Sequence, residues 1–600
     1  VIETQEVRPR SEVPVEFTWD LSIVYPDDAA WEAAVAELEA MRPEIAALKG
    51  TVGQSASSLL HALEVNDRAM MQAERIYVYA KLRKDADGTD PVAQALDSRA
   101  ASLYAQISAA LSFLEPEILA IPPETLAEWQ ARDPGLAPYA YYLDHLSRLR
   151  PHVRSAEVEE IMAEFADVTR APIDAFEALT NADLTFPTIE DERGQPVQLS
   201  DARYTTLIRS ADRRVRHDAF QAFFQAYGGV RTTLSTTLGA VIRDHVLNAR
   251  LRDYPSSLAA ALEPNDIPVE VYRTLISTIH DNLPRLHRYV SVRKHIMGLD
   301  EIHPYDLYAP LVPEIDDRFE FDAAKGLVRD ALKPLGPQYA EGLEQMFGRR
   351  WIDIYENAGK QSGAYSDGGY TTPPFILLNY HGRMIDVSTF AHELGHSLHS
   401  FFTRQTQPFI SGDYTTFVAE VASTLNEALL TAHLLATTDD PARRKQLIVD
   451  QLEGIRSTIF RQTMFAEFEL AIHEHVEAGE ALTSEWLSTR YRELVEQYYG
   501  PELVLDDEIA LEWTYIPHFY FNFYVYQYAT GKSAALALAA QIMREGEPAV
   551  RRYLRFLSSG SSRPSIDLLR DAGVDMTTPA PIQQSMDQFD ALLNDLEAVS

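Results

Sequence analysis

The 600-residue sequence predicts a mainly α-helical protein with a small β patch. Three observations carry this expectation. Apolar residues recur at helical spacing along most of the chain, glycine and proline cluster in only a few places, and one apolar run beside such a cluster has the length of a strand. The length also exceeds what one simple core can hold, so two lobes are expected, 1–200 and 201–600.

Residues 19–28 read as an entry segment. Residues 29–49 then carry Trp31, Val35, Leu38 and Met41 at helical spacing; Pro43 is placed to kink or split this helix and Gly50 to end it. Residues 57–82, 91–114 and 152–179 repeat the pattern, the last with a break expected at Pro172. Residues 184–200 alternate around Glu192-Arg193-Gly194 and predict a β-hairpin, with helices resuming from about Asp201. Irregular structure is expected over 304–313 and over 359–374, where four glycines crowd. The second zone feeds the predicted strand 375–380, and from Asp386 onward the chain reads as helix. There is no repeat of fixed period and no low-complexity tract.

Composition narrows the function classes. With 46% hydrophobic and 24% charged residues the chain has the make-up of an ordinary globular protein. It contains no cysteine, which excludes disulfide scaffolds, thiolate catalysis and Cys-ligated zinc, and fits a reducing cytoplasm. A net charge of −36 argues against nucleic acid as a partner. The opening residues, VIETQEVRPRSEVP, lack an apolar core, so no secretory leader is expected; the longest apolar runs, such as 534–540, are too short for a membrane span.

Residues 386–400, DVSTFAHELGHSLHS, contain the HExxH pattern in His392, Glu393 and His396. Positions i and i+4 of a helix share a face, so both imidazoles can bind one metal ion, with Glu393 beside it to polarise water. Asp386 or Ser388 is placed to cap this helix, and Phe390, Leu394 and Leu398 form its buried stripe. A catalytic zinc still needs a third protein ligand. Glu420 in FVAEVASTLNE is the candidate, because Phe417, Val418 and Val421 around it mark a partly buried acid that needs a partner. Ser423 and Glu427 follow at i+3 and i+7, where either could hydrogen-bond a ligating imidazole.

These parts specify hydrolysis. Zinc acidifies a water and polarises a carbonyl, Glu393 carries the proton to the leaving amine, and a further donor is needed for the oxyanion. Residues 513–531, WTYIPHFYFNFYVYQYATG, supply candidates in His518 and the tyrosines after it, since a Tyr hydroxyl donates without titrating near neutrality. The i, i+4, i+8 spacing of Tyr520, Tyr524 and Tyr528 fits an aromatic core stripe equally well.

At these residues the sequence resembles oligoendopeptidase F, within the thimet-oligopeptidase-like zinc metallopeptidases. The likeness begins at RSEVPVEFTWDLSIVYPDDAAWEA and runs through HPYDLYAPL and GKQSGAYSDGGYTTPPFILLNYHG. It takes in both metal-site segments and ends at IPHFYFNFYVYQYATGKSAA. The resemblance implies a cytoplasmic, bilobed, helical enzyme with a deep central channel and a small β-sheet next to the HExxH helix, its catalytic lobe being 201–600. It implies one zinc ion per chain held by His392, His396 and Glu420, with Glu393 as general base and His518 at the substrate. It further implies a Tyr on the oxyanion, Tyr526 or else Tyr524; the relatives' glycine-rich spacer after the histidine is missing here. Gly363 and Tyr365, in a closing loop, and Tyr520 are implied to contact substrate, and strand 375–380 to be the edge along which peptide aligns. The implied reaction is cleavage of internal bonds in short peptides. An HExxH carboxypeptidase and a peptide-binding protein without catalysis are the alternatives. Monomer and homodimer both stay open.

Overall fold

The computed structural model describes residues 7–313, 315 and 317–599. Helices dominate, with one two-stranded and one three-stranded sheet among the described residues. The chain forms two compact units. The first comprises Val1–Arg150, Asp316–Leu434 and Leu538–Val574; the second comprises Pro151–Ile315, Leu435–Ala537 and Asp575–Ser600. Each unit is therefore assembled from three separate stretches, on boundaries different from 1–200 and 201–600.

In the first unit three 3-10 turns lead into helix Asp28–Ala40, which buries Trp31, Val35 and Leu38. Pro43 splits the helical stretch: a second helix, Arg42–Leu48, takes the proline in its first turn, where a missing N–H costs nothing. Gly50 then turns the chain at φ +80°. Helices Ala56–Ala86 and Pro91–Leu111 form a hairpin, and Asp90 caps the second by accepting from Val92 N (2.9 Å).

The three-stranded sheet lies in this unit. Phe375–Leu377 is its central strand, parallel to Ile352–Asp353 and antiparallel to Tyr365–Asp367. The expected edge strand is thus an interior one, buried on both faces, and that expectation is corrected: Phe375, Ile376 and Leu377 are all apolar and exclude water completely. The true edges are Ile352–Asp353 and Tyr365–Asp367. The fully buried carboxylate of Asp353 pins the sheet to the start of the chain. It pairs with Arg10 and with the buried Lys360 ammonium (2.8 Å), and accepts from Trp19 N (3.3 Å).

The second unit contains the expected hairpin, Thr188–Glu190 paired with Pro196–Gln198 and turned at Gly194 (φ +70°). Helix Asp201–Leu207 follows, capped by Ser200. Before the hairpin the helical chain breaks at Phe165, not at Pro172, which lies within helix Ala166–Ala178. Pro172 leaves the carbonyl of Val168 without its helical partner; Val168 is exposed, so water can satisfy it. Long helices Arg213–Leu251 and Val269–Ile296 frame the core, and buried Asp306 ties the irregular 304–313 stretch to Arg213 and Arg216. Among the described residues no helix is long and apolar enough to cross a membrane.

Removing the carboxylate of Asp353 strands a buried ammonium, a loss of about 3–5 kcal/mol. Asp353→Ala should accordingly lower the midpoint of the first unfolding transition in urea, followed by circular dichroism.

Candidate metal centre

The HExxH residues lie on helix Met384–Thr406. It starts earlier than the sequence indicates, with extended Arg383 as its N-cap, so neither Asp386 nor Ser388 is the cap. Asp386 sits one turn in and reaches back, accepting from the backbone N–H of Arg383 (2.9 Å) and His381 (3.1 Å). Phe390, Leu394 and Leu398 are fully buried as expected; at about 1.5–3 kcal/mol each, they fix the helix's rotation. His392 and His396 then lie on the accessible side, while Glu393 turns inward and is only 6% exposed.

The next helix, Thr416–Thr437, crosses the HExxH helix at Gly395. A Cβ there would sit 2.5 Å from Ser423 Cα and 2.6 Å from the Ala422 carbonyl oxygen, so only glycine lets the two backbones touch. Asn426 clamps the crossing, donating from Nδ2 to the Ala391 carbonyl (3.0 Å) and accepting from the Tyr339 hydroxyl (2.8 Å).

The crossing delivers Glu420 to the histidines. Its Oε2 lies 3.3 Å from His392 Nε2 and 3.6 Å from His396 Nε2, and the two Nε2 atoms are 3.2 Å apart. Tetrahedral bonds of 2.0–2.1 Å place ligand atoms about 3.3 Å apart, so the triangle has the dimensions of a zinc site. Among the described residues this is the one group of three placed to hold a metal ion. Glu427 accepts from His392 Nδ1 (2.5 Å), which leaves the Nε2 lone pair facing Glu420. Ser423 does not reach an imidazole; its hydroxyl donates to Glu420 Oε2 (2.9 Å) and orients the carboxylate instead, because at i+3 the two side chains share a helix face.

Charge follows this packing. Burial would lower the pKa of His392, but the hydrogen bond to Glu427 and the nearby carboxylates raise it. Burial and the neighbouring His392 hold His396 down, and so neutral. Burial pushes Glu393 up to about 7; His392 opposes this, Glu420 and Glu427 add to it, and the Ser366 backbone N–H stabilises the carboxylate. His399, one turn on, is buried and stacked on Tyr414 at 3.7 Å, outside the triangle.

Ser366 belongs to the outer strand Tyr365–Asp367, whose Ser366 Oγ lies 2.7 Å from Ser397 Oγ of the HExxH helix. Tyr365 is anchored in the protein: its hydroxyl donates to Asp85 (2.6 Å) and its ring lies under Lys81 (4.3 Å). Gly363 turns at φ +84° with open space where a Cβ would be, and its carbonyl accepts from Asn379 (2.8 Å).

His518 and the tyrosines belong to the second unit. His518 is half-buried, stacked on Tyr524 at 6.2 Å and edge-on to Tyr528 at 6.1 Å; burial, then the Arg461 charge, lowers its pKa. Tyr526 is a core residue, 2% exposed and packed on Tyr272 at 5.1 Å, which argues against the role the resemblance gave it. Tyr520 is also core, stacked on Phe176 at 4.2 Å with its hydroxyl 2.8 Å from Thr237 Oγ1. The backbone is left-handed at Phe523, and the half-buried tyrosines that follow are Tyr524, before helix Tyr526–Glu545, and Tyr528, in its first turn. Sequence reasoning missed Gly395, Asn426 and Ser366. A glycine inside a helix pattern was the available signal for the first; Ser366 had none.

A family model of peptidase family M3 matches residues 206–588, and a model described as oligopeptidase F matches residues 117–186. The chain belongs to peptidase family M3. It is 43% identical to oligopeptidase PepF of Bacillus subtilis over 99% of this chain and 89% of that protein. It is 39% identical to group B oligopeptidase PepB of Streptococcus agalactiae over 98% of each. The crystal structure of oligoendopeptidase-F from Enterococcus faecium matches with a TM-score of 0.74 and 38% identity, covering 95% of this chain and 99% of that one. The family shown is the one the sequence motifs indicated, and membership makes this M3 chain a metallo-oligopeptidase.

Two substitutions test the centre. Gly395→Ala forces the helices apart and Glu427→Ala frees the His392 ring; each should weaken metal retention about 10–100-fold, measured by metal analysis after graded chelation. Because the His392 pKa is raised and only neutral imidazole binds metal, retention should fall as pH drops below that raised value.

Proposed function

We propose that this M3 peptidase is a zinc-dependent endopeptidase that cuts internal bonds of short oligopeptides in the cytoplasm. The observation that carries this reading is the His392, His396 and Glu420 triangle with the Glu393 carboxyl packed beside it. A zinc ion held by those three groups supplies Lewis acidity for the scissile carbonyl and its attacking water.

The protein's own groups do the rest. Glu427 keeps His392 in the tautomer that presents Nε2, and Ser423 holds Glu420 toward both rings. Glu393 accepts the proton from the attacking water and delivers it to the leaving amine; a carboxyl whose pKa is driven upward by burial is suited to both halves of that task. The Ser366 N–H keeps it aimed. The edge strand Tyr365–Asp367 aligns the substrate backbone, being an outer strand packed against the HExxH helix. His518 and Tyr524 bind the substrate and donate to the developing oxyanion, with Tyr528 beside them. The likeness to oligoendopeptidase-F from Enterococcus faecium supports the endopeptidase mode.

Glu393→Gln should reduce turnover of an internally quenched peptide by more than about 10³-fold with zinc content unchanged; residual hydrolysis near the wild-type rate would remove Glu393 as the base. Amidated and free-acid versions of that peptide should be cut alike, whereas selective cleavage of the free acid would mark a carboxypeptidase. Across a length series cleavage should fall off for long peptides, and native serum albumin should resist.

A further inference from the structure

The backbone of Phe523 is left-handed, φ +51°, an unusual state for a bulky side chain. Phe523 lies between His518 on one side and Tyr524 with helix Tyr526–Glu545 on the other. Phe521 and Asn522 are exposed, yet Phe523 is 2% exposed, so the chain dives into the core at this one residue. Two anchors hold it. Its ring lies 4.2 Å from the His473 ring and 5.6 Å from Tyr272, and its N–H donates to Glu469 Oε1 at 2.6 Å.

Glu469 is itself exceptional. It sits on helix Arg461–Glu477 with no solvent exposure, and its Oε2 makes no hydrogen bond. Burial holds its carboxyl far above the usual carboxylate range, and its Oε1 accepts from one backbone N–H. A buried polar group with half of its hydrogen-bonding capacity unused contributes little to stability, and strained backbone of this kind gathers at functional segments. The ring pocket is tied to the same helix: His473 Nδ1 meets the Glu469 carbonyl oxygen (2.8 Å) and the Tyr272 hydroxyl donates to the Ala466 carbonyl (2.7 Å).

We infer that Glu469 is a positioning residue which, through the strained Phe523 backbone, fixes the 518–525 segment so that His518 and Tyr524 face each other in register. The inference rests on the proposed role of His518 at the substrate. A free segment would relax Phe523 to negative φ and turn Tyr524 away from the His518 ring.

The test uses the full-length, zinc-loaded protein. Glu469→Gln keeps the acceptor and should stay within about twofold of wild type, while Glu469→Leu should lower kcat roughly 10- to 100-fold with zinc content unchanged and a smaller change in KM. Glu469→Leu and His518→Ala should be non-additive in a double-mutant cycle. Chymotrypsin nicking at Phe521 and Tyr524, mapped by mass spectrometry, reads the segment without reference to turnover and should accelerate about 10-fold in Glu469→Leu. Phe523→Ala, which removes the ring anchor, should give the same pattern and serves if Glu469→Leu does not fold. Unchanged nicking and kcat in these variants, additive effects, or a Gln variant as impaired as the Leu variant would each overturn the inference. Faster nicking together with full turnover by His518→Ala would uphold the anchoring and overturn the reading of His518 instead.

Discussion

Two helix backbones touch at Gly395, and the metal centre depends on that contact. Two imidazoles on one helix face follow from local geometry alone, but a third ligand has to arrive from elsewhere in the chain at the correct depth. With any side chain at 395 the helix carrying Glu420 would stand off, since a Cβ there would meet Ser423 Cα at 2.5 Å. Asn426 reinforces the same crossing from within, and Glu427, one helical turn beyond Ser423, is thereby brought onto His392. Close approach, ligand convergence and imidazole orientation thus share one cause.

The sheet supplies the second constraint. Asp353, with Arg10 and Lys360 around it, ties the sheet to residues near the start of the chain, and the outer strand contributes Ser366 to the Glu393 carboxyl. Residues far apart in sequence thus meet around the sheet and the Glu393 carboxyl, all within the first unit.

The helices and the His-His-Glu group that could hold a metal ion are legible in the sequence because their signals are local. The buried stripe Phe390, Leu394 and Leu398, the HExxH spacing, the apolar setting of Glu420 and the turn at Glu192-Arg193-Gly194 each lie within a few residues. Strand order is not legible: an apolar run such as 375–377 shows burial without saying which neighbours flank it, and the edge position the resemblance implies for this strand is an interior one. The aromatic segment failed for a related reason. Its alternation permits several registers, and the one adopted is set by a left-handed Phe523 bonded to Glu469, more than fifty residues earlier in the chain. Tyr526 and Tyr520, which the resemblance implies at the oxyanion and the substrate, are both buried. Spacing puts Ser423 and Glu427 on one face without showing which atom each meets; Glu427 takes the imidazole and Ser423 the Glu420 carboxylate.

The most direct measurement of the central claim is zinc-edge X-ray absorption on the purified protein and on Glu420→Ala, with zinc counted per chain. The account predicts one zinc with two imidazole nitrogens and a carboxylate oxygen at about 2.0–2.2 Å, and loss of that oxygen in the variant. A chain without zinc, or a ligand shell unaltered when Glu420 is removed, would contradict it.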